Sequence, residues 1–259
     1  VAPERLDRLK LDEQLLSVEI LGLHRNRLRP GHHAGNRFKL VMRDVATHAH
    51  ETVPLVTDML VRRGVPNYFG PQRQGRSGQN YQIGAELLVD PARRNKMSRS
   101  KRMWYLNAYQ SHFFNDMLAR RLDRLDRILV GDWAMKMENG ACFLVEDAEK
   151  EQPRADRFEI SPTGILFGSR VSWAGGEPGE IERAVVAESG ATPESLTEAA
   201  KSCGFRGERR SLRIPLAELE WVLEGSVLTL SFSLPPGAYA TSVLRELMKA
   251  DSQAAENVR

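Results

Sequence analysis

Long apolar runs and cysteines are scarce in this sequence of 259 residues. No run reaches the roughly 18 apolar residues that a transmembrane helix needs, so no membrane span is predicted. The only cysteines are Cys142 and Cys203, which suits a reducing compartment and gives no indication of a disulfide framework. The first residues, Val-Ala-Pro-Glu-Arg, contain neither an apolar signal core nor an initiator methionine. We therefore expect a cytoplasmic protein.

Metal-ligand patterns are also missing. The histidine pairs His32-His33 and His48/His50 have no carboxylate or cysteine at ligand spacing and lie in loop-like sequence. Solvent-exposed histidines are the simpler interpretation of both pairs. No metal is predicted.

Residues 64–80 form a glycine-rich stretch that contains no carboxylate, histidine or cysteine. Acid–base, metal and thiol chemistry therefore have no candidate within it. The stretch contains amide, aromatic and guanidinium side chains, and its glycines allow the backbone to approach a ligand closely. These groups are suited to binding a polyanion and a flat heterocycle. An asparagine amide both donates and accepts hydrogen bonds, as the mixed edge of a uracil requires. The alternative is an ordinary surface loop.

Charge is unevenly distributed along the chain. Residues 62–127 carry 14 Lys/Arg against 5 Asp/Glu, whereas residues 128–200 carry 6 against 14. This segregation indicates a nucleic-acid surface more strongly than the overall net charge of +3 does. Arginine supplies 29 of the 37 basic residues, which favours RNA or reflects a GC-rich genome.

The periodicity predicts a mixed α/β protein. Alternating apolar residues predict strands at residues 16–20, 37–43 and 228–234, and a hairpin at 133–145 that turns at Asn139-Gly140. Helical spacing and end signals predict helices at residues 52–63, 81–89, 103–125, 193–203 and 241–249, the last capped by Thr241 or Ser242. We expect residues 93–102 to form a solvated basic face, and Trp104, Phe113 and Phe114 to lie in the core.

Three arginines, Arg25, Arg27 and Arg29, fall within five residues of a basic strand–loop–strand segment. Such charge can keep a sheet edge solvated and free of aggregation. Phosphate contact is the interpretation that we favour for this cluster.

Residues 67–75, here called the signature loop, read Asn-Tyr-Phe-Gly-Pro-Gln-Arg-Gln-Gly. This segment resembles the N-Y-F-G-x-Q-R-F-G signature of the tRNA pseudouridine synthase D (TruD) family, with Gln74 in place of phenylalanine. Residues 111–115 resemble the family motif S-x-L-F-N, and residues 235–246 resemble P-x-G-x-[FY]-A-T-x-x-x-R-E. Residues 24–38 resemble a fourth segment, H-x-R-K-L-x-x-G-x-x-x-G-N-x-F. The matches occur in the family's order along nearly the whole chain.

The resemblance implies a mixed-sheet pseudouridine-synthase catalytic domain (α+β) with an inserted TruD-specific domain. Residues 1–92 and 214–259 would form the catalytic domain and residues 93–213 the insert. It further implies an isomerase that converts uridine-13 in the D arm of tRNA to pseudouridine, with no metal or organic cofactor, no membrane, and a monomeric state.

The same resemblance assigns site residues. Asn67 matches the asparagine that contacts the base and Tyr239 the aromatic residue that stacks on it, so both are expected to line one cleft. Phe69 and Arg73 are further substrate-binding candidates. The candidates for the RNA backbone are Arg25, Arg27, Arg29 and Arg76.

The family's catalytic aspartate lies in a G-x-K-D-[KR]-x-A-x-T motif, which this sequence does not contain. Asp7, Asp12 and Asp44 stand in other contexts. We therefore expect an N-terminally incomplete synthase that is inactive as it stands. A non-catalytic RNA-binding remnant of such an enzyme is the alternative.

Overall fold

The structure, a computed structural model, describes residues 34–248. Its helices are α1 (Ala49–Arg63), α2 (Asn80–Val89), α3 (Pro91–Asn95), α4 (Arg99–Arg120), α5 (Ala148–Asp156), α6 (Gly176–Glu188), α7 (Pro193–Cys203) and α8 (Ala240–Met248). Its strands are β1 (Asn36–Met42), β2 (Val65–Pro66), β3 (Trp133–Lys136), β4 (Cys142–Leu144), β5 (Ile160–Leu166), β6 (Glu208–Ser211), β7 (Arg213–Ile214), β8 (Ala217–Glu224) and β9 (Val227–Leu234). The predicted strand at residues 16–20, His32, His33, and the arginines Arg25, Arg27 and Arg29 lie outside the described residues.

The first sheet is antiparallel, in the order β1-β9-β8. In β9 every second residue is buried, which confirms the strand predicted from alternation at residues 228–234. The predicted strand at residues 37–43 is β1, shifted by one residue. Phe38 pairs with Phe232 across these two strands, with ring centroids 5.5 Å apart.

Helices α1 and α8 share one apolar core with this sheet. The α1 helix begins at Ala49, three residues before the predicted start, and the N–H of Gly64 closes it on the carbonyl of Leu60 at 3.0 Å. The α8 helix begins at Ala240, so Thr241 and Ser242 lie inside it and the predicted cap is wrong. Ser242 Oγ instead donates to the carbonyl of Tyr68 at 3.3 Å.

The second sheet has the order β4-β3-β5-β6. The predicted hairpin is confirmed as β3 and β4, but the two-residue turn expected at Asn139-Gly140 is wrong. Residues 137–140 form a four-residue loop in which the N–H of Gly140, at a positive φ of 74°, donates to the carbonyl of Lys136 at 2.8 Å. Helix α7 coincides with the predicted helix at residues 193–203 and ends at Gly204 in the left-handed conformation. The elements α5, β5 and α6 were not predicted from the sequence.

Helices α2 and α4 pack closely, because Gly84 lets their backbones approach. A Cβ at this position would lie 2.2 Å from the carbonyl oxygen of Tyr105. Phe113 and Phe114 of α4 are buried as predicted, whereas Trp104 is 44% exposed, so its predicted core position is wrong.

Two further expectations for this region need correction. The predicted helix at residues 103–125 runs from Arg99 to Arg120, and residues 122–124 form a separate 3-10 turn. Within the predicted solvated face, Arg94 is buried and its NH1 donates to Cys203 Sγ at 2.9 Å.

The short strands β2 and β7 pair antiparallel and fix the start of the signature loop. Val65 lies opposite Ile214 and Pro66 opposite Arg213. Asn67 follows directly, and its N–H donates to the carbonyl of Leu212 at 2.9 Å. The loop is therefore tied to the chain about 145 residues further along.

Candidate functional site

The first half of the signature loop is buried, and its second half is exposed or half-buried. Residues 67–70 are buried, whereas Pro71 and Gln72 reach solvent. A 3-10 turn over Pro71–Gln74 reverses the chain, and Nδ2 of Asn80, the first residue of α2, donates to the carbonyl of Arg73 at 3.2 Å.

Asn67 is held by hydrogen bonds on both sides of its amide. Nδ2 donates to the carbonyl of Ser211 at 2.9 Å and to Ser211 Oγ at 3.1 Å. Oδ1 accepts a hydrogen bond of 2.6 Å from NH2 of Arg210. With only 4% of its surface exposed, Asn67 forms part of the wall of the site.

Phe69 is fixed through its main chain by Asn115 of α4. The N–H of Phe69 donates to Asn115 Oδ1 at 2.9 Å, and Asn115 Nδ2 donates back to the carbonyl of Phe69 at 3.1 Å. The ring of Phe114 meets that of Phe69 edge-on, with centroids 5.5 Å apart. The motif at residues 111–115 therefore positions the signature loop.

Two guanidiniums lie over the ring of Phe69. The Cζ atom of Arg210 is 4.1 Å from the ring centroid and that of Arg73 is 5.3 Å from it. Burial lowers the pKa of Arg210 to about 10, which still leaves it charged at neutral pH. Its NH2 also donates to the carbonyl of Gly237 at 3.1 Å.

Tyr239 meets the signature loop although it lies 172 residues from Asn67 in the sequence. Its ring centroid is 6.3 Å from that of Phe69, and it packs half-buried against the core that contains Phe69 and Phe114. Because Arg210 bonds both Asn67 and Gly237, one side chain joins the loop to the segment that carries Tyr239.

A cavity of about 260 Å³ opens beside these residues. Its lining includes Asn67, Arg210, Ser211, Glu208 and the turn at residues 235–238. This volume lies slightly below the roughly 300–1,000 Å³ of sites for drug-sized molecules. The cavity is therefore large enough for one small group rather than for a drug-sized molecule.

The remaining candidates are dispersed. Arg76 is exposed. His48 and His50 are exposed as predicted, but His50 lies in α1 and not in a loop, because that helix begins at Ala49. Gln74 donates from Nε2 to the carbonyl of Ala108 at 3.1 Å, while its Oε1 is buried without a hydrogen-bond partner. Among residues 34–248, no group of three or more His, Cys, Asp and Glu side chains is arranged to hold a metal ion. Over the same range, no helix is long and apolar enough to cross a bilayer.

Several arginines of the basic residues 62–127 form ion pairs with carboxylates of the acidic residues 128–200. Arg120 pairs with Glu188 and Arg124 pairs with Glu177, both at exposed positions. Arg121 pairs with the fully buried Asp132 at 2.9 Å. The exposed cations that form no ion pair with any described residue include Arg76, Lys96, Arg99 and Lys101.

Two residues of the site, Arg210 and Ser211, were not predicted from the sequence. Neither belongs to one of the family motifs, and their neighbours, Glu208 and Arg209, have the composition of an ordinary polar strand. All four residues of β6 are polar, so its sequence has no apolar alternation that could have indicated which side chains turn inward.

Comparison with known proteins gives consistent results. The family model of tRNA pseudouridine synthase D (TruD) matches residues 1–95 and 90–247. A tRNA pseudouridine synthase D from Geobacter sp. (strain M21) is 39% identical over 97% of this chain and 78% of that protein. One from Thermus thermophilus is 42% identical over 95% of this chain and 67% of that protein.

The fold is also found in a solved structure. A candidate TruD from Methanosarcina mazei superimposes with a TM-score of 0.73 at 22% identity, over 96% of this chain and 76% of that one. The predicted mixed α/β fold is thereby confirmed.

Proposed function

The chain belongs to the tRNA pseudouridine synthase D (TruD) family, and from that premise we propose that it carries the uracil pocket of an isomerase acting on uridine-13 in the D arm of tRNA. The observation that carries the proposal is the junction through Arg210, which joins Asn67 to the segment of Tyr239. Asn67 and the turn at residues 235–238 line the cavity, and Tyr239, which is not itself among the lining residues, follows directly on that turn. We propose that the amide of Asn67 meets the edge of the base and the ring of Tyr239 its face. A base taken out of its helix needs both contacts.

The site residues take separate roles in this proposal. Asn67 contacts the edge of the uracil and Tyr239 its face, and Phe69 and Arg73 are further substrate-binding residues. Arg76 contacts the RNA backbone, as we also propose for Arg25, Arg27 and Arg29. The enzyme would be monomeric and cytoplasmic and would need no metal or organic cofactor.

The division into a catalytic domain of residues 1–92 and 214–259 and an insert of residues 93–213 also stays a proposal. It is supported by the sheets, because β1, β8 and β9 come from the first set and β3 to β6 from the second. The β2–β7 pair joins Val65–Pro66 of the first set to Arg213–Ile214, which span the boundary at residue 213.

We propose that this chain alone does not form pseudouridine. The reaction requires a carboxylate near the ribose, and the motif that carries it in the family is absent from the sequence. Asp44 lies two residues after β1 in a different sequence context, and Glu208 at the rim of the cavity is exposed. Tritium release from labelled uridine in tRNA should stay at background. Turnover would contradict this, and Glu208→Gln would then show whether Glu208 supplies the carboxylate.

Binding measurements test the proposal that the partner is tRNA. We expect an unmodified tRNA transcript to bind through residues 24–127, with a slope of log K against log salt of about −3 to −6. The physical reason is that several phosphates release counterions when arginines neutralise them. Salt-independent affinity, or binding retained by residues 128–213 alone, would contradict the proposal.

The two base contacts have different expected magnitudes. Asn67→Ala should weaken binding by about 1 kcal/mol through a lost hydrogen bond. Tyr239→Ala should cost about 1–3 kcal/mol through lost stacking. Trp221→Ala, at a partly exposed position of β8, is the aromatic control and should bind like the wild type. Equal tRNA affinities for the wild type and the three variants would refute the proposal that Asn67 and Tyr239 bind the base.

The alternative function is a non-catalytic RNA-binding protein of the same descent. It predicts the same binding and the same absence of turnover in this chain. The two differ once a segment containing the G-x-K-D motif is supplied in front of residue 1, because only the enzyme hypothesis then predicts tritium release.

A further inference from the structure

The amide of Asn67 has a fixed orientation, and its free hydrogen-bonding capacity is limited. We infer that Arg210, together with Ser211, positions this amide so that it accepts the N3–H of uracil and rejects cytosine. This inference rests on the proposed function, since it concerns the base that enters the same cavity.

The orientation follows from the chemistry of the partners. A guanidinium can only donate hydrogen bonds, and a backbone carbonyl can only accept them. Oδ1 of Asn67 faces NH2 of Arg210 at 2.6 Å, and Nδ2 faces the carbonyl of Ser211 at 2.9 Å. A flipped amide would place donor against donor and acceptor against acceptor. Only one orientation is therefore compatible with both neighbours.

The same contacts use up the donors of Asn67. Nδ2 has two hydrogens, and Ser211 accepts from it through its carbonyl and its hydroxyl oxygen. Oδ1 has two lone pairs, of which Arg210 uses one. What remains for a ligand at the cavity is a single acceptor site on Oδ1.

A lone acceptor at Oδ1 of Asn67, with no free donor beside it, distinguishes uracil from cytosine. Uracil presents an N3–H on its pairing edge, which can donate to Oδ1. Neutral cytosine has an unprotonated N3, so two lone pairs would face each other at an amide that is only 4% exposed. Sites built on a buried polar group discriminate strongly, because the wrong ligand leaves that group unpaired.

Arg210 is well placed to hold the amide. Its guanidinium lies 4.1 Å from the ring centroid of Phe69 and donates to the carbonyls of Asn67 and Gly237 at 3.3 and 3.1 Å. These contacts leave little freedom for the side chain to move away. Arg210 is thus a positioning residue for Asn67.

The test measures the affinity of the full chain for two tRNA transcripts that differ only in uridine or cytidine at position 13. The wild-type preference for uridine should fall about tenfold in Arg210→Met, since Oδ1 then loses its donor and only Ser211 still opposes a flip of the amide towards donation to cytosine. The cost of unpairing each RNA base is the same for both proteins and cancels when their preferences are compared. Arg206→Met is the control, because it removes one exposed charge four residues away. It should weaken both complexes equally.

A second variant covers the possibility that Arg210→Met does not fold. Ser211→Ala keeps the guanidinium and frees one Nδ2 hydrogen, so the preference for uridine should fall here as well, by a smaller factor. A lowered preference in either folded variant supports the inference. Weaker binding with an unchanged preference in both, or a wild type without any preference, overturns it and leaves the proposed function standing. A wild type that binds neither transcript overturns both.

Discussion

Asn115 offers a direct test of how the signature loop is held, because it supports that loop without belonging to it. Its side-chain amide satisfies both main-chain groups of Phe69, at 2.9 and 3.1 Å. Replacing Asn115 by alanine removes both bonds and leaves the N–H and the carbonyl of a buried residue without partners.

The magnitude follows from these two groups. An unsatisfied buried polar group costs about 1–3 kcal/mol. Asn115 itself is half-buried, so water can partly replace its amide, and the lower part of that range applies to each group. We therefore expect Asn115→Ala to lower the free energy of unfolding by about 2–3 kcal/mol.

Urea denaturation measures the effect. With an m-value of about 2–3 kcal/mol/M, the midpoint should fall by about 1 M. Asn107→Ala is the matched control, because Asn107 is in the same helix and its side chain makes no hydrogen bond to any residue described. The control carries the same gain in helix propensity, about half a kcal/mol. A midpoint for Asn115→Ala within 0.2 M of the control, on the order of the measurement error, would refute the proposed support of the loop.

Two further predictions concern charges elsewhere in the fold. Arg121→Met should lower the free energy of unfolding by about 3–5 kcal/mol because it leaves the fully buried Asp132 without its partner, whereas Arg120→Met, at an exposed ion pair, should cost less than about 1 kcal/mol in the same urea titration. Burial alone would raise the pKa of Asp126, but the hydrogen bond and charge of Arg63 lower it below its ordinary value of 3.8. This stabilisation is complete above about pH 4 and is lost as the pH falls further, so Arg63→Gln should flatten the dependence of the melting temperature on pH in that range; an unchanged profile would contradict it.

Local patterns were sufficient to predict the elements whose signals lie within a few neighbouring residues. The strand β9 alternates strictly, and the β3–β4 hairpin reverses within the loop that contains Asn139 and Gly140. Helix α7 has proline at its start and Gly204 at its end. In each case the side chains that decide the structure are adjacent in sequence.

The elements that were missed obey constraints from outside their own sequence. All seven residues of β5 are buried, so the strand shows no alternation, and it contains Pro162 and Gly164, which argue against a strand when read locally. The strand β8 is mostly exposed and is interrupted by Glu218 at a positive φ of 52°. Tertiary pairing with β6 and β9 overrides these weak propensities.

The candidate site was predictable in its motif residues and unpredictable in what connects them. Consecutive residues of a strand point to opposite faces, so Arg209 and Arg210 had to diverge. Arg209 pairs with the buried Glu182, and Arg210 turns towards the signature loop. Sequence alone could not decide between these two arginines, because the choice depends on the register of β6 against β5. A shift of that register by one residue would exchange the two faces and would leave Asn67 with an amide free to rotate. The chemistry of the pocket therefore depends on strand pairing in a sheet that none of the family motifs belongs to.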